Sequence, residues 1–421
     1  MATKTIKINH IAKMEGHTDF VAAIIDGDVK RAKMETTEGA RLIEACLLGR
    51  DYFKVPMIVG RICGICPIVH YLSSTQAIEE AFCIKVSEQT IILRKIMEWV
   101  QIIHSHALHL FFLSIPDFFG IENDLAFIKK YSKETSAALR VRQFAIGLVE
   151  LIGGRIVQPL TMEVGGFKKL PSIEEINKYF KNYQALLEDA IMITEFAKNL
   201  PYPKFKRETE NIALYNKNEY EVLAGDIVTL SGKHFKVKDF YKQIKELHEP
   251  YMLVKRTNYN DKTYFTGALA RVNLNFNRLN SQAKKLWKSS GIALPCYNTF
   301  YNVFAQAVEV LHAVEELKKL VGQLGKIDQK NIKVKFTPKA GEGWGAVEAP
   351  RGLLFDYCKI DKNGKILEAN IITPTAQFLA NLEEDLKVYL PNVYKMSEHE
   401  RTIKIKTLIR AYDPCISCAT H

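Results

Sequence analysis

Arg61-Ile62-Cys63-Gly64-Ile65-Cys66-Pro67-Ile68-Val69-His70 and Asp413-Pro414-Cys415-Ile416-Ser417-Cys418-Ala419-Thr420-His421 each carry a Cys-x-x-Cys pair followed by a histidine, at opposite ends of the chain. A Cys-x-x-Cys turn lets two sulfurs converge on one soft metal ion, and a histidine just past the second Cys can serve as a ligand or as a hydrogen-bond donor beside it. Four cysteines at these spacings predict one metal centre built from both ends, so the two ends must meet in space. A structural zinc site offers the same donors, but such sites normally close within a few tens of residues and staple domains that lack a core. A dithiol redox motif needs one pair only and leaves the other without a role. A functional metal site fits the spacing better than either alternative, and spacing alone leaves all three open.

With 421 residues and 47% hydrophobic composition the chain can bury a large core. Its formal net charge is +11, but the lysines are spread along the whole length, with no basic block and no aromatic-basic nucleic-acid motif. The excess therefore reads as a solvated surface, and no nucleic-acid partner is expected. The opening MATKTIKINH is not a secretory signal, and no run of about 18 uncharged apolar residues occurs, so no membrane span is expected. Eight cysteines, four of them in metal-type pairs, fit a reducing compartment, and a cytoplasmic location is predicted.

Hydropathy periodicity places helices over most of the centre and strands around it. Residues 5–35 alternate apolar and polar around an Asp26-Gly27-Asp28 turn, which predicts a hairpin. From Gln76 to Phe112 the period becomes helical, with Ile91, Ile92, Ile96, Trp99, Ile102 and Ile103 as the apolar stripe. Further helices are predicted near 133–152, 173–198, 280–290 and 300–323, with Leu200-Pro201-Tyr202-Pro203 as a break. Short strands are expected around Val228-Thr229-Leu230, and a strand pair at 334–336 and 366–372 should bracket a glycine-rich loop. The fold class is mainly α with small β elements (α+β), in one unit spanning 1–421. Its parts are a hairpin-rich segment to about 60, a helical core from 61 to 200, a mixed insertion at about 201–250, and helices with the C-terminal metal segment from 251 onward.

The residues around the cysteines resemble the large subunit of nickel-iron hydrogenases, which carries Arg-[Ile/Val]-Cys-Gly-[Ile/Val]-Cys-x-x-x-His near its start and Asp-Pro-Cys-x-x-Cys-x-x-His at its mature end. The likeness continues in Glu15-Gly16-His17, in Glu44 followed by Leu48-Gly49-Arg50-Asp51, in GEGWGAVEAPRG at 341–352, and in Pro374-Thr375. It implies a central bundle of long helices with both termini meeting at a buried metal site. It also implies the reversible heterolytic oxidation of dihydrogen at a nickel-iron centre whose iron carries carbon monoxide and cyanide. Carried over residue by residue, Cys63 and Cys415 are terminal to nickel and Cys66 and Cys418 bridge to iron. Glu15 is the proton gate, a role that suits a carboxylate raised by burial. Arg351 overhangs the open metal position, held by Asp117 and Asp413. Thr375 donates to a cyanide, Pro350 and Pro374 wall the iron ligands, and His70 donates to a bridging sulfur. Glu44, His421 and the Ile371 carbonyl hold a second cation, magnesium or iron. Ending on His421 matches the processed form, from which an extension is removed after nickel insertion. The histidines at 104, 106 and 109 read as satisfied interface residues.

The resemblance also implies an iron-sulfur small subunit, with further flavin or iron-sulfur electron-transfer subunits, since no dinucleotide fingerprint or further cluster-type cysteine run is present. Electrons would pass to NAD(P), a deazaflavin coenzyme, or a ferredoxin and disulfide pair. The chain departs from the family pattern at Lys13-Met14, Gln158, Asp356 and Thr373, and in Gly267-Ala268-Leu269-Ala270-Arg271, which lacks the common Pro; none of these removes a metal ligand. A zinc-binding scaffold and a quinone-site respiratory subunit are the rival readings; the latter has lost the cysteines present here.

Overall fold

A computed structural model describes residues 3–247 and 253–421, so the boundary expected at 250–251 lies outside the described residues. Four long helices, Glu88–Leu108, Ser132–Gly153, Tyr183–Lys198 and Asn302–Leu324, pack on one another as the central bundle. Ile92, Ile96, Trp99, Ile102 and Ile103 are buried as the period predicts, each contributing about 1.5–3 kcal/mol. Ile91 sits off the stripe, 40% exposed.

Two predicted helices are each interrupted. The stretch from 76 to 112 splits because Cys83 takes a left-handed conformation at φ 57° and Ser87 caps a new helix, its hydroxyl accepting from Thr90 N. The later part loosens at His109–Ser114 into a wider, π-type turn before Pro116. The stretch from 173 to 198 splits at 180–182, where the helix that begins with a Ser172/Glu175 capping box ends. Leu200-Pro201 breaks the chain as expected.

Strands Thr3–Ile8, Thr18–Ile25 and Asp28–Thr36 form the N-terminal antiparallel sheet, which extends the expected hairpin by a third strand. Its last strand docks on the helix Pro374–Val393, where Met34 N donates to the buried Glu383 carboxylate at 2.9 Å. The mixed segment continues past 250 to Tyr264–Phe265, which pairs in parallel with Glu210–Tyr215. Ile212, Leu214 and Tyr264 share a core with Leu353, Phe355 and Ile372.

The glycine-rich stretch expected as a loop is the strand Gly341–Ala349, and 334–336 has no strand of its own. It is the first strand of an antiparallel meander with Gly352–Ile360 and Ile366–Ile372. Strand propensity disfavours glycine, so the composition argued for a loop. The reason for the glycines is contact: Gly341, Gly343 and Gly345 lie on one face, against the backbone of Ala81, Ala77 and Ser73 on the helix Pro67–Phe82. Period two on the strand meets period four on the helix, and a Cβ at any of the three positions would enter that backbone. This close approach places the cysteine-bearing helix on the sheet. No helix among the described residues is long and apolar enough to cross a membrane.

Candidate metal centre

The turn before the helix Pro67–Phe82 carries the first thiol pair. Cys66 is the residue before the first helical position, where Pro67 loses nothing by lacking an N–H. The amides of Ile65 and Cys66 both point at Cys63 Sγ, each at 3.4 Å. From the other end, Cys415 precedes the short helix Ile416–Ala419 and is stitched in by backbone contacts. Cys415 N donates to Thr375 Oγ1 at 2.9 Å, Ile416 N to Glu15 O at 2.7 Å, and Arg41 N to Thr420 O at 2.9 Å. The Arg41 guanidinium also holds Ser417 O. The four buried, unbridged sulfurs converge as a result: Cys63 to Cys415 4.0 Å, Cys66 to Cys418 3.8 Å, Cys415 to Cys418 2.6 Å. The sulfurs of Cys63, Cys66 and Cys418 lie within 4.8 Å of one another.

This donor set suits a metal. Hydrogen bonds from Cys415, Cys418 and Cys66 pull Cys63 well below the ordinary thiol range, while burial pushes Cys415 well above it. Four thiolates packed this closely repel one another, and a multivalent soft cation among them offsets that repulsion. Two buried polar atoms at the site also lack partners, Arg351 Nη1 and His70 Nδ1. Burial lowers His70 to about 4, so its ring is neutral. The cavity beside the sulfurs is lined by Cys66, Cys415, Cys418, His70 and Arg351, with Pro350, Pro374 and Thr375 completing its wall.

Arg351 reaches this cavity from the turn after Ala349. Its Nε donates to Asp413 O at 2.8 Å and Oδ1 at 3.1 Å, and its Nη2 lies 3.0 Å from the same Oδ1. Asp117 does not join this pair, contrary to the expectation. It is held bidentately by Arg410, whose Nη1 lies 2.7 and 2.6 Å from the two carboxylate oxygens. Two buried guanidinium groups each need a counter-charge, and chain adjacency to Cys415 gives Asp413 to Arg351. Glu15 is half-buried, its backbone bridged to Cys415. Burial, reinforced by Cys63, raises its carboxyl above the usual range.

A second cluster lies behind the C-terminus. His421 Nδ1 faces Cys418 O at 2.6 Å, and Nε2 faces Ile371 O at 3.0 Å and Glu44 Oε1 at 3.7 Å. A neutral imidazole has one N–H, so one of these oxygens meets a lone pair unless positive charge is supplied. The set fits a cation. Lys255, which the sequence did not single out, already places its Nζ 2.5 Å from Glu44 Oε1, 2.6 Å from Asn370 Oδ1 and 3.4 Å from Ile371 O. Burial alone would raise Glu44, but His421 and Lys255 bring it to about 2.

The sequence profile of nickel-dependent hydrogenases matches residues 41–141 and 162–421. The chain belongs to that family. It is 33% identical to the alpha chain of sulfhydrogenase 2 of Pyrococcus furiosus over 423 residues, covering 99% of this chain and 98% of the relative. It is 29% identical over 417 residues to a chain of the vhu F420-non-reducing hydrogenase of Methanocaldococcus jannaschii, covering 93% and 99%. An NAD+-reducing [NiFe]-hydrogenase in the H2-reduced state superposes over 100% of both chains with a TM-score of 0.88 at 23% identity. A [NiFeSe]-hydrogenase of Dm. baculatum does so with a TM-score of 0.80 at 23% identity. At that identity the two structures speak for the fold. The protein is the catalytic large subunit of a nickel-dependent hydrogenase, an oxidoreductase acting on dihydrogen.

In this hydrogenase chain His106 and His109 are buried and each is held by hydrogen bonds, while the Nδ1 atoms of His104 and His106 have no partner, so the expectation of satisfied histidines holds in full only for His109. His106 Nε2 lies 2.9 Å from Glu309, and His109 sits between Gln306 Oε1 at 2.6 Å and Arg410 O at 2.8 Å. Asp356, a departure from the pattern, is buried against the Ser73 hydroxyl, and burial raises it to about 7. Arg410, Lys255 and Arg41 carry no local sequence signal; their partners lie far away along the chain.

Proposed function

We propose that Cys63, Cys66, Cys415 and Cys418 hold a nickel-iron pair, Cys63 and Cys415 terminal to nickel and Cys66 and Cys418 shared with iron. The observation that carries this reading is the convergence of four thiols from both chain ends beneath the unpartnered Arg351 Nη1. Such a pair, with carbon monoxide and cyanide on its iron, supplies the open coordination position at which dihydrogen is split heterolytically. Arg351, locked by Asp413, presents a planar cationic fork into a dry cavity, where one fixed hydrogen bond orients what lies beneath it. Thr375 accepts from Cys415 N, which leaves its hydroxyl hydrogen free to donate into the same cavity. Pro350 and Pro374 exclude water, and neutral His70 donates toward a cysteine sulfur.

Glu15 takes the proton from the thiolate side and passes it outward. Its raised carboxyl suits that exchange, and Glu38, half-buried beside Gly16 and within 3.3 Å of Ser417 Oγ, lies on the outward side. Glu44, the Ile371 carbonyl and His421 hold a magnesium or iron cation that fixes the C-terminal turn, with Lys255 sharing the same carboxylate.

Electrons leave through an iron-sulfur small subunit, then through further flavin or iron-sulfur subunits in the cytoplasm. Exposed Ile156, Val157 and Leu160 flank Gln158, which accepts from Arg61 of the cysteine turn, and they offer an apolar docking face close to the thiols. The final acceptor is NAD(P) or a ferredoxin and disulfide pair; kinship with F420-non-reducing hydrogenases weighs against the deazaflavin. The whole chain works as one unit, because its two halves share the metal site. Nickel, iron and zinc analysis of the purified complex, with infrared bands for metal-bound carbon monoxide and cyanide, tests this reading. Stoichiometric zinc without those bands would overturn it.

A further inference from the structure

Arg271 lies outside the thiol cavity, on the helix Ala268–Asn275, and is completely buried. All of its donors are used. Nε and Nη2 grip the two oxygens of Glu309 at 2.6 Å each, Nη1 reaches Glu348 Oε2 and Ala349 O at 2.9 Å each, and Nη2 also reaches Pro350 O at 3.1 Å. Its anchor is rigid, since Glu309 also accepts from Tyr220 Oη at 2.6 Å and stands 2.9 Å from His106 Nε2. Arg271 and its neighbours hold Glu309 well below the usual carboxylate range despite burial.

The segment just before Arg271 grips the same turn from the other side. Thr266 Oγ1 accepts from Leu353 N at 2.9 Å, and a Cβ on Gly267 would stand 3.4 Å from Arg351 O. Residues 266–271 therefore contact the turn at 349, 350, 351 and 353. A buried ion pair is a poor way to gain stability, because desolvation offsets most of the attraction and an apolar side chain of similar volume often serves as well. An apolar side chain cannot direct two consecutive carbonyls, and a guanidinium fork can.

We propose that Arg271 is the positioning residue that sets the Ala349–Arg351 turn, and with it Pro350 and Arg351 Nη1, over the thiol cavity. The proposal rests on the role assigned above to Arg351, so Arg351→Lys is measured alongside. In the purified holoenzyme complex, Arg271→Lys retains nickel, loses turnover by ~10- to 100-fold, the scale of a misplaced group, and shifts the cyanide infrared bands in the same direction as Arg351→Lys. Native turnover and unshifted bands in Arg271→Lys, with both changed in Arg351→Lys, overturn it. If Arg271→Lys does not fold, Glu309→Gln decides: it keeps the volume and weakens the anchor, and unshifted bands there overturn the proposal equally. If Arg351→Lys changes neither turnover nor bands, the Arg351 role fails first and this proposal falls with it.

Discussion

Gly343→Ala adds one methyl group where the structure has no room for it. The new Cβ would stand 2.5 Å from Ala81 N and closer still to Ala77 O, both backbone atoms of the helix Pro67–Phe82. Real Cβ contacts are not made below 3.0 Å, so helix and sheet must separate by roughly an ångström. Backbone conformation is not the obstacle, because Gly343 does not occupy the left-handed region. Overpacking of this kind costs about 1–3 kcal/mol. The displaced helix begins just after Cys66, so the strain is felt at the metal site as well. Gly322, on an exposed stretch of helix with nothing within 4 Å, is the control. Gly322→Ala should stabilise by about 0.4–1 kcal/mol through the unfolded chain. The assays are thermal unfolding of the purified complex and nickel per polypeptide. Gly343→Ala with native nickel content and an unchanged Tm would refute the reasoning.

Four further outcomes are expected. Cys63→Ala or Cys415→Ser should bring nickel in the purified complex to background, read by elemental analysis, because three donors cannot complete the set. Asp413→Asn should lower hydrogen uptake and shift the cyanide bands, whereas Asp117→Asn should leave the bands in place and lower Tm, since its partner is Arg410. Glu15→Gln should retain nickel and lose turnover by ~10²–10⁴-fold, the range for a lost proton-transfer group; native turnover would remove it from the proton route. Glu38 raises Glu15 by like charge, so Glu38→Gln should move the acid limb of the pH–rate profile of hydrogen uptake to lower pH, with no movement counting against the coupling.

The metal site was legible because metal ligation depends on residue chemistry at fixed short spacings, and Cys63, Cys66, Cys415 and Cys418 carry that chemistry wherever the chain takes them. Glu44, His421 and the Ile371 carbonyl, expected only from the family resemblance and not from any spacing, also lie together. The long bundle helices were legible because their period persists over many turns, while the breaks at Cys83 and 180–182 rest on single residues that periodicity averages away. The glycine-rich strand was misread because alternation of glycine carries meaning only when a helix backbone lies against it.

What the sequence determined by itself is the donor set, the helical bundle and the necessity that the two ends meet. The family resemblance had offered both Asp117 and Asp413 to Arg351, and the tertiary structure alone decided which carboxylate faces which guanidinium or ammonium: Asp413 and not Asp117 on Arg351, Asp117 on Arg410, Glu309 on Arg271, Glu44 on Lys255. Arginines, lysines and carboxylates are interchangeable as charges along a chain. Only the desolvated geometry around each buried cation, set by elements distant along the chain, selects one partner from the many that charge alone would allow.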